Sequence, residues 1–162
     1  MKIVFFDLGN TLEYSKGGIS ILMPGAHEFL SEVQQSRDNN GQNPVLGLVS
    51  DWDPHVPATE YYNLIQDLGI DGFFKPFSKK VTLSSEVNVR KPDQKIFRTA
   101  IDKIQQNLPF KDVIFITEDK NHIAAVRRYG MMAIRINLPG EMGGEVDTLA
   151  QMLPLVNLFL LM

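Results

Sequence analysis

Four short runs dominate what this chain can fold into. Ile3 to Phe6, Val45 to Val49, Val113 to Ile116 and Met132 to Ile136 are almost wholly apolar and rich in β-branched or aromatic residues. A strand with one wet face alternates apolar and polar residues. An unbroken apolar run reads instead as a strand covered on both faces, which is the condition of a parallel sheet. Helical patterns lie between the runs. Pro24 is suited to the first position of a helix whose buried stripe is Phe29, Leu30 and Val33. Tyr61, Leu64, Ile65 and Leu68 form a second stripe before Gly69. Pro92 opens a third, carrying Ile96, Phe97, Ala100, Ile101 and Ile104. Ile123, Ala124, Val126 and Arg127 belong to a fourth that ends at Gly130. A fifth is expected from Asp147 to Leu158, bent or broken at Pro154. Crossovers between parallel strands are right-handed. The expected fold class is therefore α/β, a doubly wound, Rossmann-like parallel sheet with helices on both faces. Ligands of such sheets bind beyond the carboxyl ends of the strands.

The chain of 162 residues reads as one domain over 1–162, long enough for a proper core. A net charge of -3 gives no electrostatic case for nucleic acid or an anionic membrane. There are no cysteines, which excludes disulfides and thiolate metal sites and agrees with a reducing, cytoplasmic location. Lys2-Ile3-Val4-Phe5-Phe6 is too short for a signal segment, and no run approaches the roughly 20 apolar residues of a membrane span. The apolar tail Leu158 to Met162 is expected to pack on the body or on a second subunit.

Four reactive segments fall at the expected strand ends or helix starts. Asp7 ends the first run, where a carboxylate can attack phosphorus and carry the phosphoryl group as an acyl-phosphate. Gly9-Asn10 behind it lets the backbone turn and bring amides toward an anion. Ser50 ends the second run, where a hydroxyl can hold a phosphoryl oxygen. Lys91 precedes Pro92, where an ammonium meets a helix start. Glu118 and Asp119 follow the third run. Opposite Asp7 they suit a hard cation with oxygen ligands, above all Mg2+. Each residue alone has an ordinary reading: a turn cap for Asp7, a turn hydroxyl for Ser50, a solvated Lys91, a helix N-cap for Asp119. His122 reads as a surface residue, and His27 and His55 lack zinc-like partners.

The ordered set resembles the haloacid dehalogenase-like (HAD) hydrolase superfamily, from Val4 to about Ile136. Its first motif, Asp-x-Asp-x-Thr, is similar to Asp7-Leu8-Gly9-Asn10-Thr11. Its second, a Ser or Thr ending a strand, matches Ser50. The third matches Arg90-Lys91-Pro92-Asp93, and the fourth Glu118-Asp119 through Gly130-Met131. The resemblance implies Asp7 as nucleophile and metal ligand and the Gly9 carbonyl as a second ligand. It also implies Ser50, Lys91 and Asn10 on the phosphate, Lys91 in catalysis, and Glu118 or Asp119 completing a Mg2+ shell. There are two departures. Gly9 stands where the family has the Asp that protonates the leaving oxygen and activates water, help worth about 100- to 10,000-fold. Thr117-Glu118 stands where Gly-Asp is usual, with His122 four residues on.

The spacings leave no room for a cap domain. Thr11 to Ser50 holds a Gly17-Gly18 flap and one helix, and Ser50 to Lys91 a helix, a loop and a strand. An open mouth suits a bulky or macromolecular phosphorylated substrate, or a second subunit serving as lid. Trp52, Tyr61 and Tyr62 are placed either near that mouth or in the core. The expected function is a Mg2+-dependent phosphomonoesterase working through phospho-Asp7, slowed by Gly9. The alternative is a degenerate member that binds a phosphorylated ligand or a protein partner. A receiver domain carries its acceptor Asp after the third strand, and a dinucleotide-binding fold needs a Gly-x-Gly-x-x-Gly that is absent.

Overall fold

A computed structural model describes residues 1–162. β1 (Ile3–Phe6) runs into a hairpin of β2 (Glu13–Lys16) and β3 (Ile19–Leu22), then α1 (Ala26–Gln35) and β4 (Val45–Ser50). α2 (Ala58–Asp67), a 3-10 turn at Asp71–Phe74, α3 (Phe77–Lys80), β5 (Val81–Leu83) and α4 (Ser84–Val87) follow. α5 (Gln94–Ile104), β6 (Val113–Thr117), α6 (Lys120–Arg128), β7 (Met132–Arg135) and α7 (Leu149–Leu161) complete the chain. The main sheet has the order β5-β4-β1-β6-β7, and every neighbouring pair is parallel. β1 is central and is covered on both sides.

The apolar runs divide their side chains between two cores because successive residues of a strand face opposite ways. Val4 and Phe6 join Leu46, Leu48, Ile114 and Ile116 under α1, α2 and α7. Ile3 and Phe5 join Val113 and Phe115 under α5 and α6. The helical stripes expected on α1, α2 and α5 cover these faces, while α6 buries Ile123, Ala125 and Val126 and leaves the expected Ala124 and Arg127 exposed.

Three helix boundaries differ from expectation. Pro24 precedes α1, which begins at Ala26, because Gly25 has φ 76, outside the right-handed helical region. Pro92 likewise precedes its helix, and α5 starts at Gln94 with the Asp93 side chain accepting from the Lys95 amide. α7 passes through Pro154 unbroken. The proline removes one backbone donor, but Met152, Val156, Phe159 and Leu160 are buried on either side of it. A reciprocal cap between Thr148 and Gln151 fixes the helix start. In the tail, Phe159 and Leu160 pack inward while Leu158, Leu161 and Met162 are exposed.

The flap is present as the β2–β3 hairpin. Its two-residue turn needs φ > 0 at both central positions, supplied by Gly17 (φ 58) and Gly18 (φ 77). Residues 12–44 and 53–85 hold only this hairpin and the elements named, so no separate cap stands over the end of β1. No helix is long and apolar enough to cross a membrane.

Gly47 sits opposite Phe5 across the β1–β4 pair, and the Phe5 ring lies over it. A Cβ there would meet Phe5 Cε1 at 2.7 Å and the Lys80 carbonyl at 3.1 Å. Phe5 is fully buried and has nowhere to move. Gly47→Ala should therefore cost about 1–3 kcal/mol in urea unfolding, the range for overpacking a close-packed core. An unchanged midpoint and slope would show that the β1–β4 contact is looser than described.

Candidate active site

Asp7 follows the last residue of β1, and its amide still bonds the Ile116 carbonyl of β6, so the carboxylate is fixed at the carboxyl edge of the sheet. Oδ1 accepts from Lys91 Nζ at 2.7 Å and from the Leu8 amide at 2.9 Å, and Oδ2 accepts from the Thr117 hydroxyl at 3.1 Å. Asp7 and Lys91 are both buried. A buried ion pair holds only when geometry and further hydrogen bonds offset its desolvation, and removal of one partner alone is costly. The chain supplies those bonds. The Lys91 amide donates to Asp51 Oδ1 at 2.9 Å, directly after Ser50 on β4. Tyr129 at the end of α6 donates to the Pro92 carbonyl at 2.7 Å. The ammonium also lies 5.7 Å from the Phe115 ring centroid. Lys91 thus reaches Asp7 from the loop before α5, two residues ahead of the Asp93 cap, rather than from the helix N-terminus itself.

Glu118 sits beside this pair. Its Oε2 accepts from Thr11 at 2.8 Å and lies 3.2 Å from the Thr117 hydroxyl. Arg135 Nε holds the Glu118 carbonyl at 2.9 Å. One Thr117 hydroxyl, with a single proton to give, is therefore within reach of both the Asp7 and the Glu118 carboxylates. Burial, and then the charge of Asp7, push the Glu118 carboxyl above the usual range. Asp119 is engaged by α6. Its Oδ1 accepts from the Asn121 and His122 amides at 2.8 and 3.1 Å, capping α6. Burial works against its ionisation, but the His122 and Asn121 amides together with the charges of His122 and Lys91 outweigh it, and the Asp119 carboxyl lies low.

Gly9 is exposed, has no positive φ, and a Cβ added to it would meet nothing within 4 Å. The left-handed residue of the turn is Asn10, at φ 58. The turn therefore does not need glycine at position 9. The Gly9 carbonyl accepts no hydrogen bond from the protein. Among acidic and imidazole side chains, no group of three or more gathers to hold a metal. The oxygen donors at this edge are two carboxylates, Asp7 and Glu118, with the Gly9 carbonyl near them in sequence.

Ser50 ends β4 and is buried, and its Oγ lies 2.6 Å from the Tyr61 hydroxyl of α2. Tyr61 is a core residue, edge-on to Trp52 with ring centroids 5.2 Å apart. His122 is half-buried rather than on the surface, 3.6 Å from Asp119, with its Nδ1 buried and unpartnered. Burial and Lys91 hold its imidazole below the usual range, so it is neutral at neutral pH. Thr117, Asp51 and Tyr61 are the contributors that motif reasoning left without a role. The only signal for them was adjacency to Glu118 and Ser50, or membership of a helix stripe.

Two cavities are lined by chain neighbours of the site residues, Asp51 and Arg90 in one and Asn10 in the other. One of about 640 Å3 is lined by Asp51, Trp52, Asp53, Ser84, Asn88 and Arg90. The other, of about 320 Å3, is lined by Asn10, Met23, Pro24, Ile136 and Leu149 among others.

No protein-family model matches the chain. A 75-residue stretch is 36% identical to YMR130W, an uncharacterized protein of Saccharomyces cerevisiae, and covers 45% of this chain but 22% of that protein. Among solved structures, a candidate β-phosphoglucomutase from Thermotoga maritima superposes with a TM-score of 0.71 at 12% identity, over 96% of this chain and 98% of the other. A HAD phosphatase from Thermococcus onnurineus gives 0.64 at 17% identity, over 96% and 98%. A candidate HAD-hydrolase, YfnB of Bacillus subtilis, solved with magnesium, gives 0.66 at 17% identity, over 84% of this chain and 56% of its own. The chain thus spans little more than half of the Bacillus protein. At these identities the shared property is architecture, and by architecture the chain has the haloacid dehalogenase-like fold, a doubly wound parallel sheet with no cap domain over its first strand end.

Proposed function

We propose that this chain is a HAD-like phosphohydrolase that acts on phosphate monoesters through Asp7. The observation that carries the reading is the Asp7 carboxylate, buried at the end of the central strand and bonded to Lys91 Nζ at 2.7 Å with Glu118 beside it. An Asp7 oxygen attacks phosphorus, and the bond to the ester oxygen breaks. The leaving alkoxide takes a proton from water, since Gly9 offers none. Water then attacks the acyl-phosphate and regenerates Asp7. Lys91 offsets negative charge on the carboxylate and the phosphoryl group, and Ser50 and the Asn10 turn hold phosphoryl oxygens.

A hard cation fits the donor set. Asp7, Glu118 and the unbonded Gly9 carbonyl would hold Mg2+, which supplies charge stabilisation on the phosphoryl oxygens. Asp119, engaged by two amides of α6, serves as a cap that orients the helix beside Glu118. The raised Glu118 carboxyl records the want of positive charge near it. The open mouth and the two cavities suit a bulky phosphorylated substrate, and leave space for a second subunit as lid. Gly9 supports a second reading, a non-catalytic binder of phosphorylated ligands.

The metal can be tested by stability. Glu118 has a raised folded pKa, so the stability linked to its proton is present at acid pH and is lost as pH rises through that value. Metal-free wild type should lose melting temperature relative to Glu118→Gln as pH rises from mildly acidic to neutral. Mg2+ at about a hundred times Kd should raise the wild-type melting temperature by roughly 5–10 °C and leave Glu118→Gln unmoved. Equal shifts in both proteins would place the ion elsewhere.

The chemistry is tested at Gly9, where an added side chain meets open space. Gly9→Asp should raise kcat for an alkyl phosphate by about 100-fold or more, and by less for an aryl phosphate, whose leaving group needs little protonation. Asp7→Asn should abolish both activities. Silence of wild type and Gly9→Asp on both esters, with Mg2+ still bound, would favour the binding reading.

A further inference from the structure

Ser50 and Tyr61 form a hydroxyl pair with an unequal count of protons and acceptors. Their oxygens are 2.6 Å apart, and neither makes another hydrogen bond within the protein. Each hydroxyl carries one proton, and only one proton can lie between them. The other proton has no acceptor, although Ser50 and Tyr61 are both buried, at 4% and 1% exposure. A buried donor left unpaired costs about 1–3 kcal/mol.

The two arrangements are not equivalent. If Ser50 donates, the leftover proton is on the Tyr61 phenol, whose ring is wedged edge-on between Trp52 and Tyr62 at 5.2 and 6.5 Å. If Tyr61 donates, the leftover proton is on Ser50, at the strand end beside Asp51, whose carboxylate anchors the Lys91 backbone. Burial, and then the charges of Asp7 and Glu13, hold the phenol protonated at any pH in use, so its proton is always available.

We propose that Tyr61 is a positioning residue: its phenol donates to Ser50 Oγ and thereby commits the Ser50 proton to an incoming phosphoryl oxygen. The proposal rests on the phosphoryl-binding role of Ser50 in the function proposed above, and extends it to a residue of α2 that touches no substrate. Ser50 without Tyr61 could give its proton elsewhere or rotate. With Tyr61 it has one acceptor to find, and that acceptor is the ligand.

The test is a double-mutant cycle on Tyr61→Phe, Ser50→Ala and the double variant, with Ser50→Thr as the variant that keeps a hydroxyl. Tyr61→Phe keeps the ring packed against Trp52. Two quantities are read in each protein: kcat/KM for an aryl phosphate, and the affinity for inorganic phosphate in the presence of Mg2+. Each single variant should lose roughly tenfold in phosphate affinity, about one net hydrogen bond. The double variant should lose no more than Ser50→Ala, and Tyr61→Phe should again weaken binding in the Ser50→Thr background. Additive losses would overturn the proposal, since Tyr61 would then act through packing. An unchanged Tyr61→Phe would overturn it too. Phosphate binding with the expected coupling but no ester hydrolysis would sink the phosphohydrolase reading and leave the positioning role standing. Neither binding nor hydrolysis in wild type would sink both.

Discussion

A carboxylate and an ammonium 2.7 Å apart, both buried, are what the surrounding architecture is organised to hold. Asp7 is carried by β1 and Lys91 by the loop after α4, 84 residues later. Such a pair is stable only if its remaining lone pairs and protons are met. The Leu8 amide and the Thr117 hydroxyl meet lone pairs of the carboxylate, the Asp51 carboxylate holds the Lys91 backbone amide, and these groups lie at the ends of β1, β6 and β4. The parallel order β4-β1-β6 brings these three strand ends together. Another strand order would leave the pair short of partners.

Charge near the pair is unbalanced. Glu118 adds a second, half-buried carboxylate within reach of the same Thr117 hydroxyl, with one ammonium already committed to Asp7. Its carboxyl is displaced upward by burial and by Asp7. The arrangement fits a hard cation better than an additional side chain, since oxygen donors are what the strand ends present. Gly9 stands apart from this economy of donors. The turn takes its left-handed residue at Asn10, so glycine at 9 answers no backbone requirement. In the function proposed above its effect is chemical, since a side chain that could donate a proton would meet open space there.

The edge is also open. No separate cap stands over the end of β1, and the two cavities lined by Asp51 and by Asn10 differ in character. The larger is polar, with an exposed Arg90 only loosely paired to Asp51 at 3.7 Å. The smaller has Met23, Pro24, Ile136 and Leu149 in its wall.

The apolar runs by themselves determined the sheet. Ile3 to Phe6 and Val113 to Ile116 read as strands covered on both faces, the usual condition of a parallel sheet, and the stripes between them supply the cover. The placement of Asp7, Ser50 and Glu118 at one edge was likewise legible, because they end or directly follow a buried strand, whereas Lys91 reaches Asp7 from the loop after α4. Helix starts were less so. Pro24 and Pro92 are both compatible with a first turn, and the backbone at Gly25 and the Asp93 cap decided otherwise. The tertiary structure alone decided which of two adjacent acids faces Asp7. Glu118 and Asp119 differ by one position along the chain. The amides of α6 claim Asp119, while Thr11, from the other end of the first motif, claims Glu118. It alone also joined Tyr61 to Ser50. A tyrosine in a helix stripe reads as core, and nothing in its spacing says that its hydroxyl ends beside the buried serine at the end of β4. Local pattern fixes which face a residue takes, and only the packing of α2 against β4 fixes what its polar tip meets.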